Sequence, residues 1–220
     1  MIKISPSVMC ISSLELKEQI TSLNKANVDM YHIDVMDGSF VPNFALNKDL
    51  VKDLRQITSS TLDVHIMAYD PERYVEDFVQ AGADIFSVHV EAVKHPIRVL
   101  KQIRQLGCKA GIAIDPATDI DGLEFMLDYL DMVVMMTVDP GFAGQQIIPA
   151  VYDKIKKVRS MIQERGLDID IQVDGQVKET TAPKLVECGA NVLVLGSSGL
   201  FKYKPEEYPE VIANYKSLKA

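Results

Sequence analysis

Val99-Leu-Lys-Gln-Ile-Arg-Gln-Leu-Gly-Cys-Lys-Ala-Gly-Ile-Ala-Ile114 holds the plan of the whole chain in one step. Up to Leu106 its apolar residues recur at three- and four-residue spacing, the period of a helix buried on one face. Gly107 stops that helix, and Lys109–Ile114 is a short, mostly apolar run suited to a strand covered on both sides. The step repeats in both directions. Strands are expected at Lys3–Val8, Met30–Asp34, Thr61–Ile66, Ile85–His89, Met132–Met136, Ile169–Val173 and Val192–Leu195. Amphipathic stretches such as Leu14-Glu-Leu-Lys-Glu-Gln-Ile20 lie between them. Pro71, Pro96 and Pro149 stand near helix starts, while Gly82, Gly166 and Gly189 follow helix ends. Eight strands and eight helices in strict order, with no Pro/Ser-rich linker, predict one domain over 1–220, an α/β (β/α)8 TIM barrel. An open doubly wound sheet is the competing architecture, but no Gly-rich dinucleotide turn follows the first strand.

Composition narrows the class of partner. Of 220 residues, 47% are apolar and 25% charged, which is ordinary for a globular chain able to bury a core without metal or disulfide support. A net charge of −8 argues against nucleic acid or an anionic membrane as the main partner. The longest apolar runs, such as Met132–Val138, fall far short of the ~20 residues of a bilayer span. The opening MIKISPSVMC lacks the apolar stretch of a secretory signal, and Cys10, Cys108 and Cys188 are odd in number and far apart. A cytoplasmic location is expected.

In a barrel of this kind the chemistry lies at the C-terminal ends of the strands. Strand two ends Tyr31-His32-Ile33-Asp34, and alternation places His32 and Asp34 on one face. Strand three ends Leu62-Asp63-Val64-His65-Ile66-Met67, and strand seven ends Ile171-Gln172-Val173-Asp174. If His32, Asp34, His65 and Asp174 all point inward, they form a mixed N/O ligand set for one divalent ion, Zn²⁺, Mn²⁺, Fe²⁺ or Co²⁺. His89 is expected to be structural or supporting, and His95, in a loop, solvated. Met36, Met67 and Met136 follow the polar strand ends, as core filler or as a water-excluding wall beside a charged intermediate. Ser7 is placed to bond a substrate hydroxyl.

Three glycine-rich turns follow the last three strands: Asp139-Pro-Gly-Phe-Ala-Gly-Gln145, Asp174-Gly-Gln176 and Gly196-Ser-Ser-Gly-Leu200. Backbone N–H groups there can approach a phosphate closely, and none of the three turns contains Lys or Arg. No expected strand carries a lysine near its C-terminal end, which excludes a Schiff-base aldolase, and no dinucleotide fingerprint supports hydride transfer. Two carboxylates at a metal beside a phosphate site suit proton abstraction α to a carbonyl. The metal would hold the substrate's carbonyl and hydroxyl oxygens and stabilise the enediolate. One carboxylate takes a proton and the other returns one to the opposite face, which is epimerisation. A metal-dependent hydrolase and a non-catalytic sugar-phosphate-binding module are the rival classes.

Four stretches are similar to the signature of the ribulose-phosphate 3-epimerase family: His32-Ile-Asp-Val-Met-Asp-Gly-Ser-Phe-Val-Pro-Asn43, Leu62–Met67, Met136-Thr-Val-Asp-Pro-Gly-Phe-Ala-Gly-Gln-Gln146 and Val173-Asp-Gly175. The resemblance runs from Ile4 to Phe201. It implies a ribulose-phosphate-binding barrel and a divalent ion (Zn, Mn, Fe, Co or Mg) on His32, Asp34, His65 and Asp174, with Asp34 and Asp174 as the acid/base pair. It also implies substrate contacts from Ser7, His65, Gly141, Phe142, Ala143, Gly144, Gly175, Gly196 and Ser197. The expected partner is a small ketose phosphate, and a homo-oligomer is expected. The family usually reads Asn-Pro-Gly-Phe-Gly-Gly-Gln where this chain has Asp139 and Ala143, a second Gly at Gln176, and Ala-Pro-Ser where it has Ser5-Pro-Ser7. With Gly196-Ser-Ser-Gly-Leu-Phe201, these departures resemble the D-allulose-6-phosphate 3-epimerase branch, so allulose 6-phosphate is expected ahead of ribulose 5-phosphate.

Overall fold

Every second strand is preceded by one Asp or Asn that ties it to the strand before, and this fourfold device sets the base of a barrel. The computed structural model describes residues 1–219. Its strands are β1 (Lys3–Pro6), β2 (Met30–Asp37), β3 (Phe44–Ala45), β4 (Thr61–Met67), β5 (Ile85–His89), β6 (Lys109–Ile114), β7 (Met132–Met136), β8 (Asp170–Asp174) and β9 (Val192–Leu195). The helices are α1 (Leu16–Lys25), α2 (Lys48–Ile57), α3 (Val75–Ala81), α4 (Pro96–Gln105), α5 (Val151–Glu164), α6 (Ala182–Glu187) and α7 (Tyr208–Lys216). Asp29, Asp84, Asp131 and Asn191 stand directly before β2, β5, β7 and β9. Their side chains accept the backbone N–H groups of Ile4, Leu62, Ala110 and Ile171, at 2.8, 2.8, 2.9 and 2.7 Å. Each bond occupies a donor near the start of a strand that would otherwise be orphaned.

The strands pair in parallel in the order β1-β9-β8-β7-β6-β5-β4-β2, with β3 antiparallel against the end of β2. A parallel bridge between Ser7 and His32 joins the two ends and closes the (β/α)8 barrel. The eight barrel strands match the expected ones to within a few residues. The helices differ, because the segment between β6 and β7 forms two short 3-10 helices, Asp121–Phe125 and Leu127–Tyr129. Gly122 weakens an α-helix there, and a 3-10 turn rises about 2.0 Å per residue, so a short segment spans the return path. The small β3 was not anticipated. Among the described residues no helix is long and apolar enough to cross a membrane.

Alternation sorts the core into two parts. Met30, Ile85, Ala113, Met132, Val134, Met136 and Val192 fill the barrel interior. The outward residues, including Ile33, Val64, Phe86, Ile112 and Val133, pack against the inner faces of the helices. In α1 those inner-face residues are Ile20 and Leu23, each worth about 1.5–3 kcal/mol of burial. Gly189, at φ 112°, ends α6 where a Cβ would lie 2.7 Å from Arg159 Cβ, and so turns the chain into β9.

Candidate active site

His32 and Asp34 on β2, His65 on β4 and Asp174 at the end of β8 all turn into the barrel mouth. Their donor atoms lie within 4.8 Å of one another. His32 Nε2 is 3.2 Å from His65 Nδ1, 3.3 Å from Asp34 Oδ1 and 3.6 Å from Asp174 Oδ2. His65 Nδ1 is 3.4 Å from Asp34 Oδ1 and 3.7 Å from Asp174 Oδ2. A tetrahedral ion with ligands at roughly 2.1 Å needs donor-to-donor edges of about 3.4 Å. The five edges that involve His32 or His65, at 3.2–3.7 Å, are of the size a divalent cation needs.

The electrostatics agree with the geometry. Burial alone would push the His32 imidazolium down, but Asp34, Asp174 and Asp63 around it raise its pKa well above the ordinary value. Burial would raise Asp34, yet His32 and His65 hold it far below the usual carboxylate range. For His65, burial and the neighbouring His89 and His32 outweigh the pull of Asp34, so its pKa falls. Asp34, Asp174 and Asp63 gather negative charge around His32, a field that favours a cation at the centre of the cluster.

Asp63 and Gln172, which sequence reasoning passed over, and His89, which it read as supporting, hold the ligands in place. Asp63, fully buried, accepts from His32 Nδ1 at 2.8 Å and from Gln172 Nε2 at 2.7 Å, both on Oδ2. Its Oδ1 has no hydrogen-bond partner among the described residues, so the carboxylate sits there at a cost that a positioning duty accounts for. The signal was available, since Asp63 is two residues before His65 and shares its face. His89 supports His65 from β5, its Nε2 lying 2.8 Å from His65 Nε2. His95 is exposed at the start of α4.

Above the ligands lies a cavity lined by Ser7, Asp34 and Asp174, by Met36, Met67 and Met136, and by the three glycine-rich turns. Gly141, Phe142, Ala143, Gly144, Gly175, Gly196 and Ser197 all line it, and among the described residues no lysine or arginine is part of that lining. His32 and His65 lie behind the carboxylates and do not line the cavity. Ser7 Oγ donates to Asp34 Oδ2 at 2.8 Å, so the serine orients that carboxylate as well as facing the cavity. Met36 and Met67 cluster with Val41, whereas Met136 belongs to the barrel interior, so the three form two walls. Gly175, at φ 105°, is forced by space too, because a Cβ would lie 2.6 Å from Val138 Cγ2 and 2.8 Å from Thr137 Oγ1.

The turns are tied together across the mouth. Asn43 Nδ2 donates to Gly141 O at 2.7 Å, and Gln145 Nε2 donates to Asp139 O at 2.6 Å. Gln176 Oε1 accepts from Ile147 N at 2.9 Å, pinning the turn after β7 to the turn after β8. Gln176, Asp139, Met9 and Cys10 also line the cavity.

Comparison with known proteins adds the remaining findings. Residues 3–201 match the model of the ribulose-phosphate 3-epimerase family. The chain is 45% identical to a ribulose-phosphate 3-epimerase of Synechocystis over 99% of this chain and 94% of that protein. It is 45% identical to the enzyme of that name from Bacillus subtilis over 90% and 92% of the two chains. It is 42% identical to the chloroplastic ribulose-5-phosphate-3-epimerase of Arabidopsis thaliana over 98% and 76%. A solved tryptophan synthase α-subunit from Pyrococcus furiosus shares the fold, with TM-score 0.69 at 17% identity, over 98% of this chain and 96% of that one.

Proposed function

The chain belongs to the ribulose-phosphate 3-epimerase family and is a carbohydrate epimerase acting on a ketose phosphate, and from that premise we propose how its residues divide the work. His32, Asp34, His65 and Asp174 hold one divalent ion, of which Zn²⁺, Mn²⁺, Fe²⁺ and Co²⁺ suit the mixed N/O donors best. When bound, the ion polarises the substrate carbonyl and makes the C3 hydrogen more acidic. Asp34 and Asp174 then act on opposite faces of C3. One removes the proton, C3 becomes planar, and the other delivers a proton from the far side. Ser7 keeps Asp34 aimed at the substrate through its 2.8 Å hydrogen bond. Met36, Met67 and Met136 keep water from C3, and backbone N–H groups of the turns at Gly141–Gly144, Gly175 and Gly196–Ser197 bind the phosphate. The observation that carries this reading is the pair of carboxylates, on β2 and β8, at one cation-sized cluster that opens on one cavity.

The substrate we assign is D-allulose 6-phosphate, converted to D-fructose 6-phosphate. Its support is that Asp139, Ala143 and Gln176, where the chain departs from the usual family pattern, all line the cavity around the phosphate turns. A sixth carbon displaces the phosphate from C3, so these turns are where a difference in sugar length is felt. The second reading is D-ribulose 5-phosphate to D-xylulose 5-phosphate, favoured by the 45% identity to two ribulose-phosphate 3-epimerases and the 42% identity to one named for ribulose 5-phosphate. Measuring kcat/KM for both sugars with one preparation decides between them. A ratio favouring ribulose 5-phosphate overturns the six-carbon assignment and leaves the epimerase chemistry intact. The same reading expects a cytoplasmic homo-oligomer of single-barrel chains, which sedimentation tests for the oligomer.

A further inference from the structure

The chain of imidazoles continues past the candidate ligands. His65 Nε2 lies 2.8 Å from His89 Nε2, and the two rings stack with centroids 4.9 Å apart at 25°. His89 Nδ1 lies 3.1 Å from Asp115 Oδ1 and 3.3 Å from Glu91 Oε2. Glu91 is held in turn, because its Oε1 accepts the Asp115 backbone N–H at 2.9 Å. Successive members stand on successive strands: His65 on β4, His89 on β5, and Asp115 directly after β6. Both rings are fully buried, while the two carboxylate side chains are about one-fifth exposed, at 21% for Glu91 and 22% for Asp115.

The protons along this chain can be counted. A nitrogen-to-nitrogen contact of 2.8 Å contains one proton, donated by one ring and accepted by the other. An imidazole that offers a bare Nδ1 to a cation keeps its single proton on Nε2. His65 is then the donor and His89 Nε2 the acceptor. His89 consequently carries its own proton on Nδ1, where Glu91 Oε2 accepts it at 3.3 Å and the negative charge of Asp115 Oδ1, 3.1 Å away, helps to hold it.

We propose that His89, anchored by Asp115 and Glu91, is a positioning residue that locks His65 in its Nε2–H tautomer and so presents a bare Nδ1 to the divalent ion. The inference rests on the metal reading given under Proposed function and deepens it.

The same count decides the character of the outer cluster. His89, Glu91 and Asp115 bring three donor atoms within 4.8 Å, a spacing that would also suit a cation. An ion on His89 Nδ1 would move that ring's proton to Nε2, where it would face the Nε2–H of His65. Two donors would then oppose each other at 2.8 Å with no acceptor between them. The outer cluster is therefore the anchor of a hydrogen-bond chain, and the barrel takes one ion.

Metal-stripped full-length protein reloaded with Co²⁺ or Zn²⁺ tests this, with Kd from chelator competition and stoichiometry from elemental analysis. The variants are His89→Phe, His89→Gln and the double variant Glu91→Gln/Asp115→Asn, each checked for a cooperative thermal transition. We expect one ion per chain throughout. His89→Phe keeps a ring but cannot accept a hydrogen bond, and its metal affinity should fall by about 10–100-fold. His89→Gln, whose Oε1 can accept the Nε2–H, should recover most of that loss, and the double variant should lie between. Wild-type affinity in His89→Phe overturns the proposal, as does an equal loss in Phe and Gln variants that both fold. If His89→Phe does not fold, unchanged affinity in the double variant overturns it and weakened affinity supports it. Two ions per wild-type chain overturn the proton count. Wild-type protein that binds no divalent ion removes the metal reading and this inference together, whereas metal binding indifferent to His89 removes the inference alone.

Discussion

Asp63 Oδ2 sits 2.8 Å from His32 Nδ1, on the side of the ring away from the ligand cluster, and this contact fixes which nitrogen of His32 faces inward. With its proton held on Nδ1, His32 offers Nε2 to Asp34, Asp174 and His65, which surround it at 3.2–3.6 Å. Asp63→Asn removes the charge that holds that proton. Gln172 then competes for the one remaining carbonyl oxygen. Affinity for a divalent ion should fall by about 10–100-fold, measured by chelator competition, with the fold retained. Unchanged affinity would show that ring packing alone orients His32.

Prolonged chelation should abolish epimerisation, and one equivalent of a divalent ion should restore it. The expectation rests on the four donors gathered within 4.8 Å. Full turnover in rigorously metal-free protein would refute it.

Asp34 and Asp174 should divide the two faces of C3 between them. Replacing Asp174 by Asn leaves an oxygen able to hold the ion but unable to exchange a proton, so epimerisation should fall by ~10²–10⁴. The remaining Asp34 can still remove and return a proton on its own face. One epimer alone should then exchange its C3 hydrogen with deuterated solvent without inverting, and Asp34→Asn should show this with the other epimer. Metal content is measured in both variants. Exchange of the same epimer by both would overturn the two-acid assignment.

Of the three thiols, Cys10 alone lines the cavity. Burial and the nearby carboxylates of Asp84, Asp63 and Asp131 push the Cys108 thiol up to about 12, and burial also raises Cys188. Both shifts disfavour the thiolate, which is the nucleophilic form. Alkylation of the folded protein, followed by mass spectrometry, should label Cys10 first, and a saturating ketose phosphate should protect it. Labelling that is indifferent to the sugar phosphate would mean that the ligand does not fill the cavity beside Gly196.

At the opposite end of the barrel, Asn191 accepts from Ile171 N at 2.7 Å and from Arg159 Nη2 at 3.2 Å, and donates to Asp170 Oδ1 at 2.6 Å. Asn191→Ala strands these groups and should cost about 1–3 kcal/mol in denaturant unfolding, with kcat unchanged. A loss of kcat without loss of stability would contradict a purely structural base.

The strand ends were legible because alternation is local. His32 and Asp34 share a face through a spacing of two, and the structure brings them, with His65 and Asp174, to one point. The glycine-rich turns were legible for a similar reason, since Gly141, Gly144 and Gly175 adopt positive φ that a residue with a Cβ would resist. The helix expected after β6 came from the alternation of strands and helices, which did not register what Gly122 and a short return path would do.

By itself the sequence determined the order of strands and helices, the inward face of each strand, and the family to which the chain belongs. Those properties follow from periods of two and 3.6 residues and from motifs a few residues long. Only the tertiary structure decided which inward groups meet. Gln172 reaches Asp63 across 109 residues of sequence, and Ser7 reaches Asp34 across 27. Closing the barrel through the Ser7–His32 bridge sets both distances at once, and no local pattern encodes the stagger of a closed sheet.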